Sequence, residues 1–301
     1  MKAANEIIAL CFMMAIGVYA RKKNFIDDRV EKGLNSLLVN ITLPLSIINS
    51  FYMTYDKSIV DNCKKLIFYS FIIHVLAFVI SKLVFCKTEK KRRSVLVFMT
   101  TFSNCAFMGF PVLGSIYGEI GIFYASIYNI FFYIFVWTFG YGLFSTGLTI
   151  KESFKNIVKN AALWAVAIGG VIFMTQVTIP DFLLLGVRNV AAITTPLSMI
   201  IIGSMLCSSS IKEVLSDWSL YLVSFIRLIL VPIIVFLPMK YLGIDPMLIA
   251  VPTLIMAMPG AAICPVMAID NDGDGKYASQ CVFITTVLSI VTIPLFVALV
   301  G

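Results

Sequence analysis

The residues of this chain with the means to do chemistry are few, and they sit where an apolar sequence interrupts itself. Ser103 and Asn104 lie in MTTFSNCAFMGFPVLGSIYG (residues 99–118), an apolar stretch of helix length that also holds Gly109 and Pro111. A second stretch, MAMPGAAICPVMAIDNDGDG (residues 256–275), carries Pro259, Gly260 and Pro265. A proline inside a helix removes a backbone hydrogen bond at a cost of about 3 kcal/mol. In lipid, every polar group so freed has to be met by protein or by a water-lined cavity. An interrupted apolar helix is therefore a candidate binding site. Its half-helix N-terminus carries partial positive charge, its uncoupled carbonyls accept, and Ser103 and Asn104 add side-chain polarity. Such a site suits a small anion. Prolines that merely kink packed helices are the plainer reading, and the pairing of two such stretches weighs against it.

Two ionisable residues stand inside apolar runs, His74 and Arg227, 153 residues apart. A mid-membrane Arg costs about 2.5–3.5 kcal/mol on insertion scales, which makes intramembrane charge a functional candidate. Arg227 is a candidate either to neutralise a substrate carboxylate or to hold a moving part together. His74 is a proton-coupling candidate, since its charge changes in the physiological range. A snorkelling Arg and a hydrogen-bonded core His are the structural alternatives. The segment Asp270-Asn-Asp-Gly-Asp-Gly has Asp270, Asp272 and Asp274 spaced like the opening of a calcium loop. Position twelve is Cys281 rather than a bidentate Glu, so a solvated turn is the better reading. Paired with Tyr55-Asp56 the segment also evokes the aspartates of an intramembrane protease, but Asn271 stands where the GxGD pattern needs glycine. No zinc-protease, nucleophile-elbow or P-loop motif occurs, and the seven scattered cysteines form no metal spacing. The sequence calls for no metal or other cofactor.

The composition says what has to position these residues. Of 301 residues 60% are hydrophobic and 13% charged, with a mean hydropathy of +0.97, far more apolar than one soluble core can use. The net charge of +7 falls in short connections, which fits lipid topology rather than nucleic acid. Apolar runs of spanning length lie at residues 3–20, 34–51, 66–85, 94–116, 122–146, 161–178, 183–208, 218–242, 247–269 and 278–300, predicting ten transmembrane helices in an all-α membrane protein. The first run ends Val18-Tyr19-Ala20 like a cleavable signal peptide, but Arg21-Lys22-Lys23 follow it, which favours a retained helix. Fifteen Lys and Arg fall in the odd-numbered connections, Lys212 among them. Six, including Arg188, fall in the N-terminus and the even ones. The positive-inside rule then puts both termini outside.

An internal repeat sets the architecture. Thr42-Leu-Pro-Leu-Ser-Ile-Ile matches Thr194-Thr-Pro-Leu-Ser-Met-Ile at a separation of 152 (Pro44 to Pro196), and Tyr124-Ala-Ser matches Tyr277-Ala-Ser at 153. Pro111 and Pro265 stand 154 apart. Three similar offsets in order imply two five-helix halves, residues 1–150 and 151–301. Because five is odd, the second is inverted, which is the pattern of an alternating-access carrier. Asn104 would lie about 15 Å into the fourth run and Pro259 about 18 Å into the ninth, at about 1.5 Å per residue, so both breaks approach the bilayer centre from opposite sides.

SNCAFMGFPVLGSIYG, LLVNITLPLSIINSF, TTPLSMIIIGSML and MAMPGAAICPVMAI also resemble the corresponding segments of the auxin efflux carrier family of permeases, in its bacterial type, over the whole chain. The resemblance implies broken crossing helices four and nine that hold substrate at Asn104 with Pro111, and at Pro265. It implies a scaffold of helices one, two, six and seven, and a transport domain of helices three to five and eight to ten moving as an elevator. Many members are homodimers, and the substrates associated with the family are carboxylates such as malate or malonate, or auxin. Helix nine has Ala257 or Met258 where helix four has Asn104, so this chain lacks a matching polar pair. The reading is a secondary transporter of a small organic anion in the cell membrane, coupled to a proton, to sodium or to neither. An intramembrane protease and a membrane receptor without transport are the rivals.

Overall fold

The computed structural model describes residues 2–145, 149–207 and 217–300. The ends of the fifth and seventh apolar runs, and the connection with Lys212, lie outside them. The described residues form α1 (Lys2–Lys22), α2 (Asp28–Leu37), α3 (Leu43–Phe51), α4 (Lys57–Val84), α5 (Lys90–Thr101), α6 (Phe110–Phe135), α7 (Ile150–Val158), α8 (Ala161–Thr175), α9 (Asp181–Met205), α10 (Trp218–Phe225), α11 (Val231–Tyr241), α12 (Pro246–Ala257), α13 (Cys264–Ile269) and α14 (Gly275–Val300). Four five-residue π-helical segments join or extend them: Leu38–Thr42, Cys105–Gly109, Val136–Gly140 and Ile226–Leu230. Among the described residues no strand forms, only one isolated antiparallel bridge.

Proline explains where three of the π segments occur. Each ends two residues before a proline: Thr42 before Pro44, Gly109 before Pro111, Leu230 before Pro232. A proline ring clashes with the carbonyl four residues back and has no N–H to offer it. Widening the preceding turn moves that carbonyl aside, so the helix continues through the proline instead of ending.

Among the described residues six helical stretches are long and apolar enough to cross a membrane: Asp28–Phe51, Lys57–Val84, Cys105–Gly140, Asp181–Met205, Trp218–Tyr241 and Gly275–Val300. The pair Lys151–Val158 and Ala161–Thr175, bent by 59°, makes a seventh if it is one span. The difference from ten apolar runs has local causes. The ninth run is cut into α12 and α13, each too short alone. The fourth and fifth share one helical stretch, whose only reversal is at Gly118, where φ is 64° and ψ −149°. That conformation is open essentially to glycine alone. Arg188 belongs to α9, well past its first turn, and not to the connection before it.

The chain gathers into two compact units. Unit 1 comprises residues 1–66, 106–130 and 158–208. In it α1 lies along α9, and α3 packs on α8 and α9. The α1 and α9 backbones approach so closely that a side chain on Gly17 would meet the Ile200 carbonyl, and one on Gly203 the Met14 carbonyl, the small-residue contact by which helices associate without a hydrophobic drive. Phe51, Phe123 and Phe173 stack between α3, α6 and α8, with centroids 4.5 and 5.5 Å apart. Unit 2 comprises residues 67–105, 131–157 and 209–301. There α14 packs against α5, α10, α12 and α13. At one end, Arg92 pairs with Asp217 at 3.0 Å and stacks on the Tyr277 ring, whose hydroxyl lies 2.5 Å from Ser219 Oγ. Burial alone would raise the Asp217 carboxyl, but the bonds from Ser219 and the Arg92 charge hold it below its ordinary value.

Replacing Gly118 by Ala forces a side chain into a backbone conformation worth on the order of 1–3 kcal/mol of strain. The nearby space is open, so the loss is conformational rather than steric. We expect a lower unfolding midpoint for detergent-purified Gly118→Ala, read by circular dichroism, and no rescue by a Ser at the same position.

Candidate functional site

The two interrupted stretches meet backbone to backbone within unit 2. α5 ends at Thr101 and α12 at Ala257, and the residues after them pair as a short antiparallel bridge, Ser103 against Gly260. The Asn104 N–H donates to the Pro259 carbonyl at 2.8 Å, and the Ala261 N–H donates to the Phe102 carbonyl at 3.0 Å. The Gly260 N–H turns away from the bridge and donates to Thr285 Oγ1 on α14, at 3.3 Å. Space is tight here: a Cβ on Gly260 would displace the end of the Met99 side chain. Ser103 and Asn104 are buried, and the Ser103 hydroxyl has no partner among the described residues.

Two C-terminal helix ends therefore converge at the bridge. The last four carbonyls of a helix lack intrahelical partners and carry partial negative charge. Arg227 answers them. Its guanidinium, fully buried, donates from Nη1 to the Thr100 carbonyl at 2.8 Å, from Nε to the Met258 carbonyl at 3.0 Å and from Nη2 to the Ile255 carbonyl at 3.4 Å. One side chain thus ties the end of α5 to the end of α12. Only the planar, forked guanidinium offers donors in that arrangement. Arg227 itself lies in the π segment Ile226–Leu230, ahead of Pro232.

The other sequence-predicted residues are placed as follows. His74, on α4, is buried, with Nδ1 2.8 Å from the Ser70 carbonyl and its ring between Phe132 and Phe135. It is within electrostatic reach of Arg227. Pro265 is the second residue of α13, and Pro111 the second residue of α6. Neither proline breaks a helix. Pro265 sits in the first turn of one, where the missing N–H is an orphan anyway, the helical chain passes through Pro111 by way of the widened turn Cys105–Gly109, and the chain in fact breaks at residues 102–104 and 258–263. Gly109 and Pro111 are buried and belong to unit 1, whereas Ser103, Asn104, Pro259, Gly260 and Pro265 belong to unit 2. Asp274 caps the first turn of α14 through the Tyr277 N–H, and among the described residues no three acidic, His or Cys side chains are grouped to hold a metal. Thr285 was not legible in advance, because a hydroxyl on an apolar helix carries no signal until its partner is known.

The family described as membrane transport protein is matched over residues 3–297. The chain belongs to it, as a member of the auxin efflux carrier family. It is 26% identical to an uncharacterized transporter of Methanothermobacter thermautotrophicus and 22% identical to one of Methanocaldococcus jannaschii. These alignments cover 98% of both chains in the first case and 97% in the second. With its apolar spans, this auxin efflux carrier family member is a multi-pass membrane protein of a transporter family.

Truncating the guanidinium takes a donor from three buried carbonyls; that of Ile255 keeps the Met258 N–H, while those of Thr100 and Met258 lose the bond Arg227 gives them, each worth about 1–3 kcal/mol when orphaned. Arg227→Met should therefore destabilise the purified protein strongly, on the order of 3 kcal/mol, while Arg227→Lys, able to reach fewer carbonyls at once, recovers only part. Thermal unfolding of the three proteins checks the order.

Proposed function

We propose that the protein is a secondary transporter that moves a small organic anion across the cytoplasmic membrane, its carboxylate held at the paired breaks. The observation that carries this reading is the backbone bridge between Ser103 and Gly260, with the buried Ser103 hydroxyl unpartnered beside it. Two interrupted helices meeting inside an apolar protein expose backbone dipoles at one point, the arrangement that lets a carrier bind a polar solute in lipid. Ser103 and Asn104 supply polarity from the first break, Pro259 and Gly260 shape the second, Gly109 and Pro111 widen the turn that follows the first, and Pro265 opens the helix that follows the second.

Ten spans in two inverted halves, residues 1–150 and 151–301, remain our reading of the topology. Support comes from equivalent contacts: the Tyr124 hydroxyl accepts from Asn62 at 3.4 Å, near the start of α4, and its repeat counterpart Tyr277 meets Ser219 at the start of α10. The likeness in position of Pro111 and Pro265 points the same way. Unit 1 gathers α1, α2, α3, α8 and α9 together with residues 106–130 of α6, so it holds all four helices of the scaffold we propose, helices one, two, six and seven, and takes in part of the elevator-type transport domain we assign to helices three to five and eight to ten. Under this reading both termini are extracytoplasmic and the protein is a homodimer. Arg227 is the residue that holds the crossing together, with His74 nearby as candidate for proton coupling. Sodium is the other coupling ion to test.

Proteoliposomes loaded with malate or malonate should show counterflow of the same solute, under imposed pH and sodium gradients that reveal the coupling ion. Ser103→Ala and Asn104→Ala should each lower the rate by about tenfold or more while leaving the unfolding midpoint near that of the parent, the loss expected when a buried polar contact to substrate is removed. Equal rates in the parent and both variants would sink the assignment of the site. His74→Ala should flatten the dependence of rate on pH if His74 carries the proton.

A further inference from the structure

Away from the bridge, unit 1 contains a cavity of about 660 Å³, well within the 300–1,000 Å³ usual for small-molecule sites. It opens where the start of α1, the end of α3, the Gly118 reversal and α9 come together. A smaller cavity of about 280 Å³ adjoins it through shared Tyr52 and Arg188. The larger one is lined by charge of both signs: Glu6 from α1, Glu119 beside the reversal and Arg188 from α9, with Asn49, Ser115 and Thr195 among them. Arg188 and Thr195 are seven apart on one helix face, so they stand about 10 Å from each other along α9. The Glu119 carboxylate is hydrogen-bonded by the Asn49 side chain and feels the Arg188 charge, yet no ion pair closes Arg188 onto Glu119 among the described residues.

The charge balance selects the ligand. A plain dicarboxylate entering this cavity meets one guanidinium and two carboxylates, so its second negative group faces like charge, which is how sites reject the wrong partner. A ligand with a carboxylate and an ammonium has a partner for each end. A guanidinium takes a carboxylate through two parallel hydrogen bonds, and Glu119 and Glu6 are acceptors for an ammonium, which donates three. We propose that this cavity in unit 1 is a recognition site for a small amino-carboxylate, its carboxylate on Arg188 and its ammonium on Glu119 with Glu6. This rests on the carrier reading only in naming the cargo, which it narrows from organic anions to those that also bear an ammonium.

L-aspartate and L-malate form the matched probe, since they differ in an ammonium against a hydroxyl. Binding to the detergent-purified full chain, measured by calorimetry, should be about tenfold or more tighter for aspartate than for malate, the size of discrimination a charged contact supports. Glu119→Gln should abolish the preference, Glu119→Asp should keep it, and Arg188→Gln should weaken both ligands. Malate binding as tightly as aspartate, or a preference that survives Glu119→Gln, overturns the proposal, as does stabilisation by sodium chloride alone equal to that by sodium aspartate. Counterflow in proteoliposomes separates the two readings. Malate flux without aspartate binding leaves the carrier standing and removes this site, whereas aspartate binding with no flux of either solute keeps this site and removes the carrier.

Discussion

Two helices of this protein stop short in the middle of apolar sequence, and the carbonyls they leave behind have to go somewhere. Water is the usual partner of a helix end, but Thr100, Ile255 and Met258 are in or beside the most buried part of the chain. The Arg227 guanidinium takes all three carbonyls. Each component alone would be costly. A buried cation without partners loses its hydration, and buried carbonyls without donors lose theirs. Together they satisfy one another, with the sign of the helix dipoles in their favour. The dependence runs back to the sequence through Pro232, whose ring asks for a wide turn just before it, and Arg227 lies in that turn. Proline, π turn, guanidinium and crossing form one chain of cause.

The bridge is not symmetric in its residues. The first break presents Ser103 and Asn104, both with side-chain polarity. The second presents Pro259 and Gly260, with none, and the backbone of Gly260 leans on Thr285 from a neighbouring helix. The two breaks thus solve the same backbone problem differently. One spends its donors on the partner segment and keeps a hydroxyl in reserve, while the other borrows a hydroxyl from α14. A side chain at position 260 would have to push aside the end of Met99.

Much of this was readable from residue types. The apolar runs, the two interrupted stretches and the buried charge of Arg227 follow from composition, periodicity and spacing, and the family from the resemblance of a few segments. The positions of the breaks do not. A proline announces disturbance, yet Pro265 is tolerated in the first turn of a helix and Pro111 behind a widened turn, and the backbone gives way earlier: at Met258, which the following Pro259 holds extended, and at Phe102, where no residue type demands it. That choice belongs to tertiary pairing, since a break is only affordable where another break supplies its hydrogen bonds. Arg188 counts among the connection charges by composition but lies within α9, past its first turn, where it lines a cavity. Glu119 carries no signal in the sequence, and the fold places it in the lining of the same cavity as Arg188.

The separation of charge from the crossing bears on how a carrier works. A solute held by full opposite charge in a dry site leaves slowly, and conduction requires binding that is favourable but easily undone. At the bridge the strong cation is already committed to backbone carbonyls, so under the proposed function a carboxylate there would meet hydroxyl and amide dipoles, which bind without trapping. The full charges of unit 1, Glu6, Glu119 and Arg188, line an open cavity where water weakens each of them. Under the proposed amino-carboxylate reading they would sort ligands by the sign and spacing of their groups at little cost in release. Recognition by charge in a wet place and passage by dipoles in a dry one are compatible demands only if they are met by different residues, and the two proposals assign them to different residues.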